Sequence, residues 1–132
     1  MPIDISWADE TQTAIVIRPS GKWSWEDFYE STAESFSLLD SASGSYKIHT
    51  ILDWSKTATW PMNTLVHGKN LLTHQNPRQG AFVFTGMNAV LNGLYQVFLQ
   101  LNAKALQNTT LLTARTVEEA QAKLASLPQT DA

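Results

Sequence analysis

Along the first residues the apolar positions come every second place. Ile3, Ile5 and Trp7 alternate with Asp4 and Ser6, a polar turn follows over residues 9–12, and Ala14, Ile15, Val16 and Ile17 lead to Arg18. A period of two predicts strands, and the short turn predicts that the pair forms an antiparallel hairpin. From Ser24 the period changes. Trp25, Phe28, Tyr29, Ala33, Phe36 and Leu39 recur at threes and fours, which predicts a helix to about Leu39 with one stripe, Trp25 included, against a sheet. Ser24 stands where an N-cap is wanted, and Glu26 and Asp27 complement the positive helix start.

After a run of turn formers at 40–45, Ile48, Ile51 and Leu52 predict a third strand ending in Asp53, parallel and central because it follows a helix. Pro61 is tolerated in a first helical turn, so a second helix is expected to begin near it and to carry Leu65, Val66, Leu71 and Leu72 toward the sheet. The β-rich run at 80–85 predicts a fourth strand, and Asn88 is placed to cap a third helix reaching about Ala105. Val90, Leu91, Leu94, Tyr95, Val97, Phe98, Leu99 and Leu101 cover an arc wider than one sheet contact needs, so part of that helix is expected to be exposed. Residues 109–114 predict a fifth strand. Thr116 and Glu119 have the spacing of a capping box ahead of a last helix ending near Ser126, and 128–132 is expected to be a frayed tail.

The order β-β-α-β-α-β-α-β-α describes one α/β domain over residues 1–127: an N-terminal hairpin, then βα units, giving a mixed sheet of about five strands flanked by about four helices. A length of 132 residues with 43% hydrophobic content fits a single core. Nine basic residues against twelve acidic, with no long run of either sign, leave no electrostatic footprint for nucleic acid. Cysteine is absent, which removes disulfides and thiolate chemistry. No basic start followed by an apolar run marks a leader, and no window approaches the ~18 apolar residues of a membrane span. A soluble cytoplasmic protein is the expectation.

Motifs for catalysis are missing from the pattern. His67 and His74 are seven apart, whereas helical metal pairs use three or four, and His49 falls in a strand. There is no Gly-x-Ser-x-Gly elbow, and Gly68-Lys69-Asn70 alone is not a phosphate loop. The acidic pairs Asp9-Glu10, Glu26-Asp27 and Glu118-Glu119 sit where turns and helix starts favour negative charge. Neither a metal nor a cofactor is expected.

In an open α/β sheet the carboxyl ends of the parallel strands are where ligands and partners dock, which directs attention to the loop after the third strand. Asp53 can orient a ligand or cap that loop, and Ser55, Thr57 and Thr59 place hydroxyls in it that serve as ligand contacts or as turn residues. Trp54 and Trp60, followed by Pro61, Met62, Asn63 and Thr64, make the candidate recognition rim, because tryptophan combines large contact area with a polar handle. Two readings follow. One is a domain that binds a protein partner, or its own copy, through residues 54–64 and the exposed part of the third helix. The other is a carrier or sensor holding a small apolar ligand between helices and sheet, against Trp54, Phe82, Tyr95 and Phe98. An enzyme acting through Asp53 and His67 is the remaining alternative.

The Ile-Ser-Trp…Ala-Ile-Val-Ile-Arg hairpin, Gly-Lys-Trp-Ser-Trp-Glu-Asp-Phe at the first helix, the Ile-Leu-Asp53 strand end and the closing Thr-Ala-Arg-Thr-Val-Glu-Glu-Ala120 together resemble the STAS, or anti-sigma-factor-antagonist, family of small bacterial domains. The resemblance covers nearly the whole chain and implies an interaction domain without catalysis. In signalling members of that family a serine opening the second helix is phosphorylated by a partner kinase. The corresponding stretch here is Pro61-Met62-Asn63-Thr64, where no serine stands and Thr64 is the nearest hydroxyl.

Overall fold

The computed structural model describes residues 2–42, 44, 46–58, 60–73 and 77–127. Thr59, His74 and the expected tail at 128–132 lie outside the described residues. The elements follow in the expected order: β1 (Ile3–Trp7), β2 (Ala14–Pro19), α1 (Trp25–Ser41), β3 (Ile48–Asp53), α2 (Thr64–Thr73), β4 (Gln79–Thr85), α3 (Ala89–Leu101), β5 (Leu111–Ala114) and α4 (Val117–Ala125). All five strands lie in one sheet in chain order. The hairpin β1–β2 is antiparallel, with Ile5 opposite Ile17, and every later pair is parallel.

Alternation along each strand divides the side chains between two cores. Ile15, Ile17, Ile48, Leu52 and Phe82 point to one face, where they meet Trp23, Phe28, Leu39, Leu72, Leu91 and Phe98. Ala14, Val16, Ile51, Ala81 and Val83 point to the other, against Ala120 and Leu124 of α4. Crossovers of one hand between successive neighbouring strands put α1, α2 and α3 on the same face and leave α4 alone on the opposite one. The alanines at 14, 81 and 120 suit that thin side, where one short helix must approach closely.

Local chemistry explains the helix ends. Ser24 Oγ accepts from the Asp27 amide at 3.1 Å while the Asp27 carboxylate accepts from the Ser24 amide at 3.0 Å, a complete capping box. At the other end of α1, Arg78 reaches across and donates to the carbonyls of Leu39, Ala42 and Tyr46 at 3.0, 2.8 and 3.0 Å. The Leu39 and Ala42 carbonyls lie at the helix end, where intrahelical donors run out. At α4 only half of the expected box forms. Thr116 accepts from the Glu119 amide, but the Glu119 carboxylate turns outward to Arg115 and Lys123.

Three expectations are corrected. Buried positions of α1 include Ser31 and Ser35, whereas Tyr29 and Ala33 face outward. A serine can be buried there because each hydroxyl donates to the carbonyl three residues earlier, at 2.8 Å in both cases. Trp25 is only half buried, and Trp23, outside the helix, takes the core place. Helix α2 starts at Thr64, later than Pro61, because Asn63 turns the chain at φ 64° and only then lets the helix begin.

Candidate functional site

At the carboxyl ends of β2, β3 and β4 the α4 face carries a polar group. Arg18 Nε donates to Asp53 Oδ2 at 2.7 Å, and Asp53 Oδ1 accepts from the Ser55 amide at 3.1 Å and the Thr85 hydroxyl at 3.3 Å. Burial raises the carboxyl's pKa, but the hydrogen bonds from Arg18 and Ser55 and the nearby guanidinium charge outweigh it, so the net shift is downward from 3.8. Asp53 is therefore an ionised, fully occupied acceptor. It fastens the start of the following loop to the sheet, with Gly86, at φ 69°, passing so close that a Cβ there would meet the Ser55 amide nitrogen at 2.7 Å.

The loop itself is stitched to the exit of β2. Gly21 donates to the Lys56 carbonyl at 2.8 Å and accepts from the Ala58 amide at 3.0 Å, while Thr57 donates to the Pro19 carbonyl at 3.1 Å and accepts from Trp23 Nε1 at 3.3 Å. Two tryptophans turn inward from this frame. Trp54 is 7% exposed, so it belongs to the core and not to a rim. Half-buried Trp60 lies 4.6 Å from it, and Trp23 meets both rings at 6.0 and 5.6 Å. Trp25 donates from Nε1 to the Met62 carbonyl at 2.8 Å and stacks on His67 at 4.9 Å, whose Nδ1 is paired with the Tyr29 hydroxyl at 2.8 Å. Thr64 is half buried and its hydroxyl donates to the Pro61 carbonyl at 2.9 Å.

Beneath this loop, between α1, α2, α3 and the sheet, lies a cavity of about 110 Å³. Trp54, Trp60, Thr64, Phe82, Tyr95 and Phe98 are all on its wall, so residues picked from three separate stretches of sequence converge there. Tyr95 packs on Phe84 at 4.8 Å, and burial pushes its phenol pKa upward. The wall also holds a buried pair that the sequence did not single out: Thr50 donates to Gln79 Oε1 at 3.0 Å. Asp53, Ser55 and Thr57 are not brought to this cavity. Met62 stands outside it, 84% exposed, with Asn63 beside it, and Val66, Val90, Val97 and Leu101 are exposed on the neighbouring helices α2 and α3.

The arrangement separates the residues a catalytic reading would need together. Asp53 serves the α4 face of the sheet, whereas His67 stacks on Trp25 on the opposite face. His49 Nδ1 accepts from the Ala81 amide at 2.9 Å, and burial lowers its pKa from 6.5, so it acts as a neutral structural acceptor. Among the described residues no three histidines or carboxylates gather as a metal site, and no helix is long and apolar enough to cross a membrane.

No family model matches the sequence, and no curated protein matches it. Solved structures do match in shape. The anti-sigma factor antagonist SpoIIAA in its unphosphorylated form superposes with a TM-score of 0.61 at 12% identity, over 95% of this chain and 99% of that one. A protein of the DUF3478 family with a SpoIIAA-like fold, from Shewanella loihica PV-4, superposes with a TM-score of 0.62 at 13% identity, over 92% of this chain and 91% of that one. The chain has the SpoIIAA-like α/β fold that the resemblance implied.

Proposed function

We propose that this chain is a non-catalytic regulatory domain that binds a protein partner through the outer edge of the loop before α2 and the exposed side of α2 and α3. The observation that carries the reading is the set of large apolar side chains left in water there. Met62, Val66, Val90 and Leu101 are 84, 60, 72 and 70% exposed, and they belong to the loop before α2, to α2 and to α3, two helices in contact with each other. Scattered single residues need no explanation, but a concentration on two neighbouring helices is what a partner-binding surface presents. The inward roles of Trp54 and Trp60 support the loop's shape, and Met62 supplies its outward contact. That SpoIIAA, which shares the fold, is an anti-sigma factor antagonist is consistent with an interaction role.

The test is capture from the native source with the wild-type chain and with a Met62→Ser, Leu101→Ser double variant, each checked by near-ultraviolet circular dichroism. A protein retained by the first and lost by the second, with unchanged spectra, is the expected result. Equal retention by both would remove this surface from the reading. A second reading, binding of a small apolar ligand, is favoured by the cavity and by the convergence of Trp54, Phe82, Tyr95 and Phe98 on it.

A further inference from the structure

The cavity under α1, α2 and α3 carries more information than its apolar character. Among the described residues its wall includes no charged side chain. An ion placed there would lose its hydration with nothing opposite in charge to meet it, so an occupant has to be neutral. Most polar groups on the wall already have protein partners: the Thr32, Ser35 and Thr64 hydroxyls donate to backbone carbonyls, and Thr50 is joined to Gln79. One donor does not. The indole N–H of Trp54 is buried, with no hydrogen-bond partner among the described residues.

Buried polar groups are nearly always satisfied, so a buried donor without a partner calls for an acceptor that the chain does not supply. The size is informative too. An apolar cavity of about 150 Å³ accepts benzene; with about 110 Å³ of space that is partly open to solvent, this one is of the order of a single ring with a short substituent.

We propose that this cavity binds a small, neutral, largely apolar molecule carrying one hydrogen-bond acceptor, a ketone, ester or ether oxygen, which takes the Trp54 indole N–H. The inference rests on the ligand reading of the cavity and adds the chemistry of the ligand to it. The apolar body fills the space among Phe28, Phe82, Leu91 and Phe98, and the oxygen sets its orientation. Selectivity follows from what is absent as much as from what is present: carboxylates and amines of the same bulk are excluded by desolvation, and hydrocarbons of the same shape leave the indole unsatisfied.

The experiment compares acetophenone, which has the acceptor, with ethylbenzene, which has the same carbon skeleton without it. Each is titrated into the intact chain labelled with nitrogen-15 at tryptophan, and the indole N–H resonances are followed. Acetophenone is expected to bind roughly tenfold more tightly and to move the Trp54 indole proton downfield. In Trp54→Phe the tenfold advantage is expected to disappear while ethylbenzene still binds; should that variant fail to fold, the wild-type comparison and the indole shift decide alone. Equal binding of both compounds with an unmoved indole proton would overturn the acceptor assignment and leave the apolar cavity standing as a ligand site. Binding of neither would overturn both.

Discussion

Replacing Asp53 by asparagine keeps the shape of the side chain and lets Oδ1 go on accepting from the Ser55 amide and the Thr85 hydroxyl. The change falls on Oδ2, which accepts from Arg18 Nε at 2.7 Å. A hydrogen bond to a charged group contributes ~1.5–3 kcal/mol. Arg18 retains 32% of its side-chain exposure and can be rehydrated once released, so solvent screening brings the loss to the bottom of that range or just under it, about 1–1.5 kcal/mol at neutral pH. The pH dependence separates this cause from mere loss of packing. In the folded chain the Asp53 pKa lies below 3.8, so the stability it confers is fully present above 3.8 and is lost as pH falls through the folded value. Urea unfolding followed by tryptophan fluorescence should show Asp53→Asn less stable at pH 7 and nearly equal to wild type in strong acid. A penalty of the same size at both pH values, or none at pH 7, would refute the role given to the Arg18–Asp53 pair.

Other consequences are equally direct. Gly93→Ala should stabilise the chain by ~0.5–1 kcal/mol, since an added Cβ meets nothing within 4 Å and the helix gains propensity, whereas Gly86→Ala should destabilise it by more than ~1 kcal/mol in the same denaturation assay. Trp60→Ala should cost about 2–3 kcal/mol through loss of its contacts with Trp54 and Trp23, while Met62→Ala stays within ~0.5 kcal/mol; equal effects would contradict the inward and outward assignments. Because the folded-state pKa of His49 is lowered, the unfolded chain takes up its proton first on acidification, so stability present above 6.5 should decline as pH falls below it. His49→Asn should flatten that part of the pH profile, and an unchanged slope would place the effect elsewhere.

The order of elements was legible because it is written locally. Ser24, Asn88 and Thr116 each accept from the amide three residues on, where the chain must begin a helix, and the change of apolar period marks each boundary. What was not legible depends on partners far along the chain. The apolar stripe of α1 does not include its serines, yet Ser31 and Ser35 are buried, each satisfied within its own helix. Periodicity favoured Trp25 over Trp23, but the stitching of residues 56–58 to Gly21 draws Trp23 inward. Asp53 looked like a loop cap, which it is; its second partner, Arg18, is 35 residues away and no local pattern announces it. The cavity was foreseeable as a set of residues and not as a space, since its volume is set by how three helices settle on one face.

The most direct test of the interaction role is native mass spectrometry of the chain purified gently from its own source, beside Met62→Ser, Leu101→Ser purified the same way. The account predicts a species heavier by a whole protein in the first sample, a second copy or a different chain, and its absence from the second. A bare monomer in both samples, or the same complex in both, would contradict it.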